Sequence, residues 1–176
     1  STGLWFFNSG PRAGASQPHR HLQLLPRHHN ESICPRLPWF TEHLCTRTPS
    51  LGSDQMIDPL KTSCVIAERP ASSDPEEEAM GLHELYRSLA ERLGLGDVAS
   101  LDPPAVPYNL LLTQSWMALI RRSQDEILGF SVNALGFAGY LLATDRSDLT
   151  WLQTHGGEQL LRQVVADLSG ITDADD

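Results

Sequence analysis

Leu4, Trp5, Phe6 and Phe7 form an unbroken apolar run, the pattern of a strand covered on both faces, and it predicts a strand over residues 4–7. Asn8 to Ser16 is a loop of small residues, and a second strand is expected from about His19 to Leu25, ended by Pro26. From Arg27 to Pro59 the chain is rich in Pro, Ser, Thr and His without clear periodicity, which predicts irregular structure; Thr62 to Glu68 returns to strand character. Ser73-Asp74-Pro75-Glu76-Glu77-Glu78 has the grammar of a helix start, with a capping side chain, a proline in the first turn and acids at the positive end of the dipole. Leu82, Leu85, Tyr86, Leu89 and Leu93 then fall on one helical face as a core stripe, and Gly94 and Gly96 end it. A proline-rich linker, Asp102 to Pro107, leads to a predicted hairpin of Tyr108–Thr113 and Trp116–Ile120 about Gln114-Ser115. Leu128 to Ala143, with its glycines, reads as strands and a turn, and a last helix is expected over about Glu158 to Leu168. Strands interspersed with a few helices predict an α+β fold.

The 176 residues suffice for a real core, and 40% hydrophobic with 20% charged residues disfavours both disorder and a membrane class. No apolar run approaches a membrane span, and the N-terminus does not resemble a signal peptide. Three cysteines, Cys34, Cys45 and Cys64, with no C-x-x-C pair, argue against a disulfide framework and suggest a reducing, cytoplasmic setting. The net charge of −9 is unevenly placed: residues 1–70 carry seven Lys or Arg against five Asp or Glu, whereas the remainder carries six against seventeen. That polarity suits a small anionic ligand near the N-terminal third and disfavours a nucleic-acid backbone as partner.

Candidate chemistry concentrates in Gln17-Pro18-His19-Arg20-His21-Leu22-Gln23-Leu24-Leu25-Pro26. If His19 lies in a strand, His19, His21 and Gln23 share one face and Arg20, Leu22 and Leu24 the other. The preceding loop offers Gly10, Gly14, Ala15 and Ser16, small enough to bring backbone N–H groups close to an anion. A neutral imidazole held in one tautomer is a competent nucleophile toward phosphorus, and Gln23 could donate to a phosphoryl oxygen without adding charge. The spacing alone leaves three readings open: a nucleophile, a metal pair with His28, His29 or Cys34 as further ligands, or polar residues on an exposed strand.

The joint string Asn8-Ser9-Gly10 … Gly14-Ala15-Ser16-Gln17-Pro18-His19-Arg20-His21-Leu22-Gln23-Leu24-Leu25-Pro26 is more specific than its parts and closely resembles the ATP adenylyltransferases, or diadenosine tetraphosphate phosphorylases, of the histidine triad superfamily, related to galactose-1-phosphate uridylyltransferases. The resemblance implies an antiparallel sheet with flanking helices, residues 1–70 carrying the catalytic motif and residues 71–176 a C-terminal region packed on it. It implies His21 as nucleophile, His19 as its support, and Gln23 on the transferred phosphoryl group. Asn8, Gly14, Ala15, Ser16 and Gln17 would contact nucleotide phosphates. Pro107-Tyr108-Asn109 … Trp116-Met117 … Arg121-Arg122-Ser123 also resembles the family's C-terminal region and adds Asn109, Met117 and Arg121 as ligand contacts.

The implied reaction is cleavage of diadenosine tetraphosphate by phosphate to ATP and ADP through an AMP-histidine, with Mg²⁺ brought by the polyphosphate and no dedicated protein metal site. A nucleotide-binding module without turnover and a metal-dependent nucleotide hydrolase are the alternatives. Family members are longer, and their phosphate-binding lysines precede the region that begins here, whereas this chain has one lysine, Lys61. A further segment or chain is therefore expected to complete the fold.

Overall fold

The computed structural model describes residues 3–17, 19–27, 32–45, 58–98 and 104–165, without the side chains of 43–45. His28, His29, the Cys45 side chain and the end of the expected last helix lie outside the described residues.

Five antiparallel strands form the central sheet in the order β2-β1-β4-β5-β3: β1 Gly3–Asn8, β2 Gln23–Pro26, β3 Cys64–Glu68, β4 Tyr108–Leu112 and β5 Trp116–Arg121. The hairpin predicted from Tyr108 to Ile120 is β4–β5, and strands from both sides of residue 70 interleave in one sheet. Alternation along the ladder sorts side chains between two cores. Leu4, Phe6, Leu111, Trp116, Ala118, Ile120, Cys64 and Ile66 face one side; Phe7, Tyr108, Leu110, Met117, Leu119 and Val65 face the other. Coverage on both faces is why β1 reads as a continuous apolar run rather than an alternating one.

The second face is covered by α3, Pro75–Arg92, which starts as its sequence predicts: the Asp74 side chain accepts from Glu76 N at 2.9 Å. Leu89 and Leu93 are buried there beside Met117 and Tyr108, with Leu82, Leu85 and Tyr86 packed against them. The first face receives helix α1 (Leu37–Cys45), the one-turn α2 (Pro59–Thr62), the short α4 (Ala134–Ala138) and α5 (Leu149–Gln163). A small hairpin of β6 (Glu126–Ile127) and β7 (Phe130–Ser131) precedes α4.

Three expectations are corrected. Residues 27–59 are not wholly irregular: α1 forms, and its Phe40 is fully buried, stacked on Trp116 with ring centroids 4.9 Å apart. Leu128 to Ala143 holds a helix, α4, capped by the Asn133 side chain accepting from Leu135 N at 2.9 Å. The last helix starts at Leu149 rather than near Glu158, because the chain passes His155-Gly156-Gly157 with a kink at Gly156 (φ 81°, ψ 161°) instead of stopping there. Among the described residues no helix is long and apolar enough to cross a membrane.

Candidate active site

The site is assembled where β1 runs out. Asn8 ends that strand directly opposite Asn109 of β4, and their side chains share the face of Phe6 and Leu111. Asn109 is fully buried; its Nδ2 donates both to Asn8 Oδ1 and to the Ala13 carbonyl, each at 2.8 Å. Its Oδ1 accepts from Nη1 of Arg122 at 2.5 Å. Asn8 Oδ1 accepts a second bond, from Ala134 N at the start of α4, at 2.9 Å. Ser9 is held by an exchange with Tyr108, donating its N–H to Tyr108 O at 3.0 Å and accepting at Oγ from Tyr108 N at 2.8 Å.

Between Asn8 and Ser16 the loop tightens into a 3-10 turn at Pro11–Ala13, closed by Ala13 N to Gly10 O at 2.9 Å and Gly14 N to Pro11 O at 2.8 Å. Ala13 is fully buried and Gly14 takes a left-handed conformation, φ +79°, pressed on the Val132–Asn133 backbone. Gly14 and Ala15 are half-buried, while Ser16 and Gln17 stand exposed at the outer rim. Arg12 reaches from the turn to the Ser123 carbonyl at 2.7 Å. The loop is thus pinned on its inner side and open on its outer side.

His19 and His21 do not lie in a strand, as the sequence pattern suggests; β2 begins at Gln23. The ladder ends with Phe6 opposite Gln23, because beyond Phe6 strand β1 pairs only with β4. The register, if continued, would set His21 opposite Asn8, but the hydrogen-bonded ladder does not reach it. The rings of His19 and His21 stand 5.1 Å apart, tilted by 48°. His21 Nδ1 lies 3.1 Å from the His19 carbonyl oxygen. A carbonyl only accepts, so Nδ1 is the donor, and the tautomer of a neutral ring that this contact selects has its lone pair on Nε2.

Arg20 takes the other side. Its charge acts on the Tyr86 and Tyr108 hydroxyls, which contact each other on the α3 face; burial dominates and pushes both phenols above their usual range.

The remaining candidates separate. Asn109 meets Asn8 and the loop, whereas Met117 is buried against α3 and Arg121 donates from the same face to the Leu93 carbonyl at 3.1 Å. The residue that joins the site is Arg122, which sequence reasoning passed over for its neighbour. The missed signal was period two: Asn109 pairs with Ile120, so the next residue on that face is Arg122, not Arg121. Arg122 is 1% exposed, and desolvation pulls its pKa down to about 10. All its acceptors are neutral: Val164 O at 3.0 Å, Gln124 O at 2.6 Å and Asn109 Oδ1. Its guanidinium also lies over the Phe137 ring, 5.1 Å from the centroid.

Comparison with known proteins gives a consistent picture. A family model described as the ATP adenylyltransferase C-terminal domain matches residues 55–167, and one described as the Ap4A phosphorylase N-terminal domain matches residues 1–40. The chain is 31% identical over 157 residues to diadenosine 5',5'''-P1,P4-tetraphosphate phosphorylase 2 of Saccharomyces cerevisiae, covering 83% of this chain and 46% of that protein. It is 29% identical over 149 residues to Protein APA1 of the same yeast, covering 78% and 44%. The crystal structure of yeast Ap4A phosphorylase Apa2 in complex with AMP superposes with a TM-score of 0.64 at 29% identity, covering 96% of this chain and 57% of that one. The Apa2 complex with Ap4A gives 0.61 at 27% identity, covering 94% and 53%. The chain spans about half the length of the curated relatives it matches.

Proposed function

Because this chain belongs to the Ap4A phosphorylase family, we propose that it carries the nucleophile and phosphate loop of a nucleotidyltransferase that converts diadenosine tetraphosphate and phosphate to ATP and ADP. The observation that carries this reading is the His21 Nδ1 contact to the His19 carbonyl, which leaves Nε2 free as the attacking atom.

In the first displacement Nε2 attacks the phosphorus of one adenylyl group. The bond from that phosphorus to its bridging oxygen breaks, ATP leaves, and AMP is held on His21. The imidazole gains positive charge as the N–P bond forms, and the Nδ1–H bond to the His19 carbonyl stabilises it. In the second displacement a phosphate oxygen attacks the same phosphorus, the N–P bond breaks, and ADP departs with the neutral imidazole restored. The loop from Asn8 through Gly14, Ala15, Ser16 and Gln17 binds the nucleotide phosphates, and Gln23 contacts the transferred group. Asn109 contributes by holding Asn8 and Ala13; Met117 and Arg121, on the opposite face, are left out of this site. Mg²⁺ would be carried by the oxygens of the polyphosphate, which suit a hard cation that keeps several waters.

The test is covalent labelling by diadenosine tetraphosphate carrying radioactive adenylyl phosphorus. Label on the wild type that survives His28→Ala and vanishes in His21→Ala is expected. Equal label on the two variants refutes the nucleophile, and an unlabelled wild type that still binds AMP assigns the chain to nucleotide binding without turnover.

A further inference from the structure

Arg122 is a buried guanidinium that no step of the reaction above uses. It hydrogen-bonds only to neutral acceptors, and among the described residues no carboxylate forms an ion pair with it. The exposed Asp125 carboxylate acts on it at a distance, but burial outweighs that attraction, and a buried charge so weakly compensated is costly unless something in the fold depends on it.

What depends on it follows from donor and acceptor bookkeeping. A guanidinium only donates. Its Nη1 faces Asn109, so Asn109 must turn its oxygen toward Arg122 and its amino group away. That amino group meets Asn8 and the Ala13 carbonyl, which forces Asn8 to turn its own oxygen inward, where Ala134 N donates to it as well. The Asn8 amino group is what remains, on a half-buried side chain at the loop, and no acceptor among the described residues takes it. The Ala13 carbonyl, which only accepts, and the Ala134 N–H, which only donates, favour the same arrangement of the two amides, and Arg122 adds a third constraint of the same sense that also carries charge.

We propose that Arg122 is a positioning residue: together with the Ala13 carbonyl and the Ala134 N–H it holds, through Asn109, the side chain of Asn8 as a hydrogen-bond donor, and it keeps a positive charge that no carboxylate ion-pairs behind the loop, selecting anionic phosphoryl oxygens over neutral ligands. This deepens, and rests on, the reading of the loop as a nucleotide phosphate site. It also assigns a source of fixed positive charge to a chain that has a single lysine.

The experiment compares AMP with adenosine, by calorimetric titration of the full chain and its Arg122→Gln and Arg122→Lys variants. Glutamine can donate or accept and bears no charge, so Arg122→Gln weakens AMP by about tenfold or more while adenosine changes less than about twofold. Lysine keeps the charge and the donor-only character, so Arg122→Lys retains most of the AMP affinity. Asn8→Asp lowers AMP affinity in the wild type and adds little in Arg122→Gln, because the two residues act through one relay. Parallel loss of AMP and adenosine, or an equal defect in Lys and Gln variants, makes Arg122 merely structural and overturns the proposal; so do independent, multiplying effects of Asn8→Asp and Arg122→Gln. If Arg122→Gln does not fold by circular dichroism, the ratio of AMP to adenosine affinity in Arg122→Met, which fills the site without charge or donor, decides: a selective AMP loss supports the relay, and an unchanged ratio refutes it. Wild-type chain that binds no AMP defeats the phosphate-site reading itself, whereas AMP bound equally by wild type and Arg122→Gln defeats only the role of Arg122.

Discussion

Two glycines of the loop look equivalent in sequence and are opposite in structure, and alanine substitution separates them. At Gly14 an added Cβ meets Val132 O at 2.7 Å and the Cα and Cβ of Asn133 at 2.9 Å, with φ at +79°. Most of that obstruction is backbone and cannot swing aside. The left-handed conformation costs an alanine about 1 kcal/mol, and forcing backbone apart in a packed region costs about 1–3 kcal/mol more. Gly14→Ala is therefore expected to destabilise by about 2–4 kcal/mol, a large share of the roughly 5–15 kcal/mol of an ordinary domain. At Gly10 an added Cβ meets nothing within 4 Å and φ is 170°, extended backbone open to any residue. Gly10→Ala is expected to change stability by no more than about 0.5 kcal/mol. Urea denaturation followed by circular dichroism, with the slope held common, measures both. A difference below about 1 kcal/mol between the two variants would refute the view that the loop is clamped on the Val132–Asn133 turn.

Two further outcomes follow from ionisation. Asp58 makes two bonds of 2.9 Å to Arg162 and caps α2, and the Arg162 bond holds its carboxyl below the usual range. A depressed folded-state pKa contributes stability above the unfolded value, about 4, and that stability is lost as pH falls through the lower folded value. Asp58→Asn, which keeps the cap, should thus cost about 1 kcal/mol at pH 7, with the gap closing below about pH 4 in a denaturation series; a gap constant down to pH 2 would contradict the assignment. Burial pushes the Cys34 thiol up to about 11 and Cys64 up to about 12. In a Cys45→Ser background neither should react with a thiol reagent at pH 8 until the chain is unfolded, and fast native-state labelling would show that these cores open.

Much of the architecture is legible in the chain because local and global preferences agree there. The Asp74-Pro75 start of α3, its leucine stripe, and the apolar run of β1 each carry their own explanation. The failures occur where a tertiary contact decides. Nothing in Leu37-Pro38-Trp39-Phe40 announces a helix until Phe40 finds Trp116. The glycine pair at Gly156 looks like a stop, yet α5 is held on both sides of its kink, with Leu160 and Leu161 in the core and Trp151 packed against it. For the candidate site, the motif singled out His21 and Gln23. The strand assigned to His19 was an over-extension of periodicity past the last hydrogen-bonded pair. Between the adjacent arginines, resemblance favoured Arg121, and only the register of β4 against β5 selects Arg122.

The anchors of the glycine loop all come from late in the chain. The Asn109 bonds to Asn8 and Ala13 span 101 and 96 positions, and the Ala134 bond to Asn8 spans 126. A nascent polypeptide emerging from the ribosome therefore carries the histidine motif long before it carries anything to shape the neighbouring bend. On the proposed reading, competence to grip a phosphate would arise only once α4 has been synthesised and docked, and ligand affinity in this chain would double as a readout of completed folding.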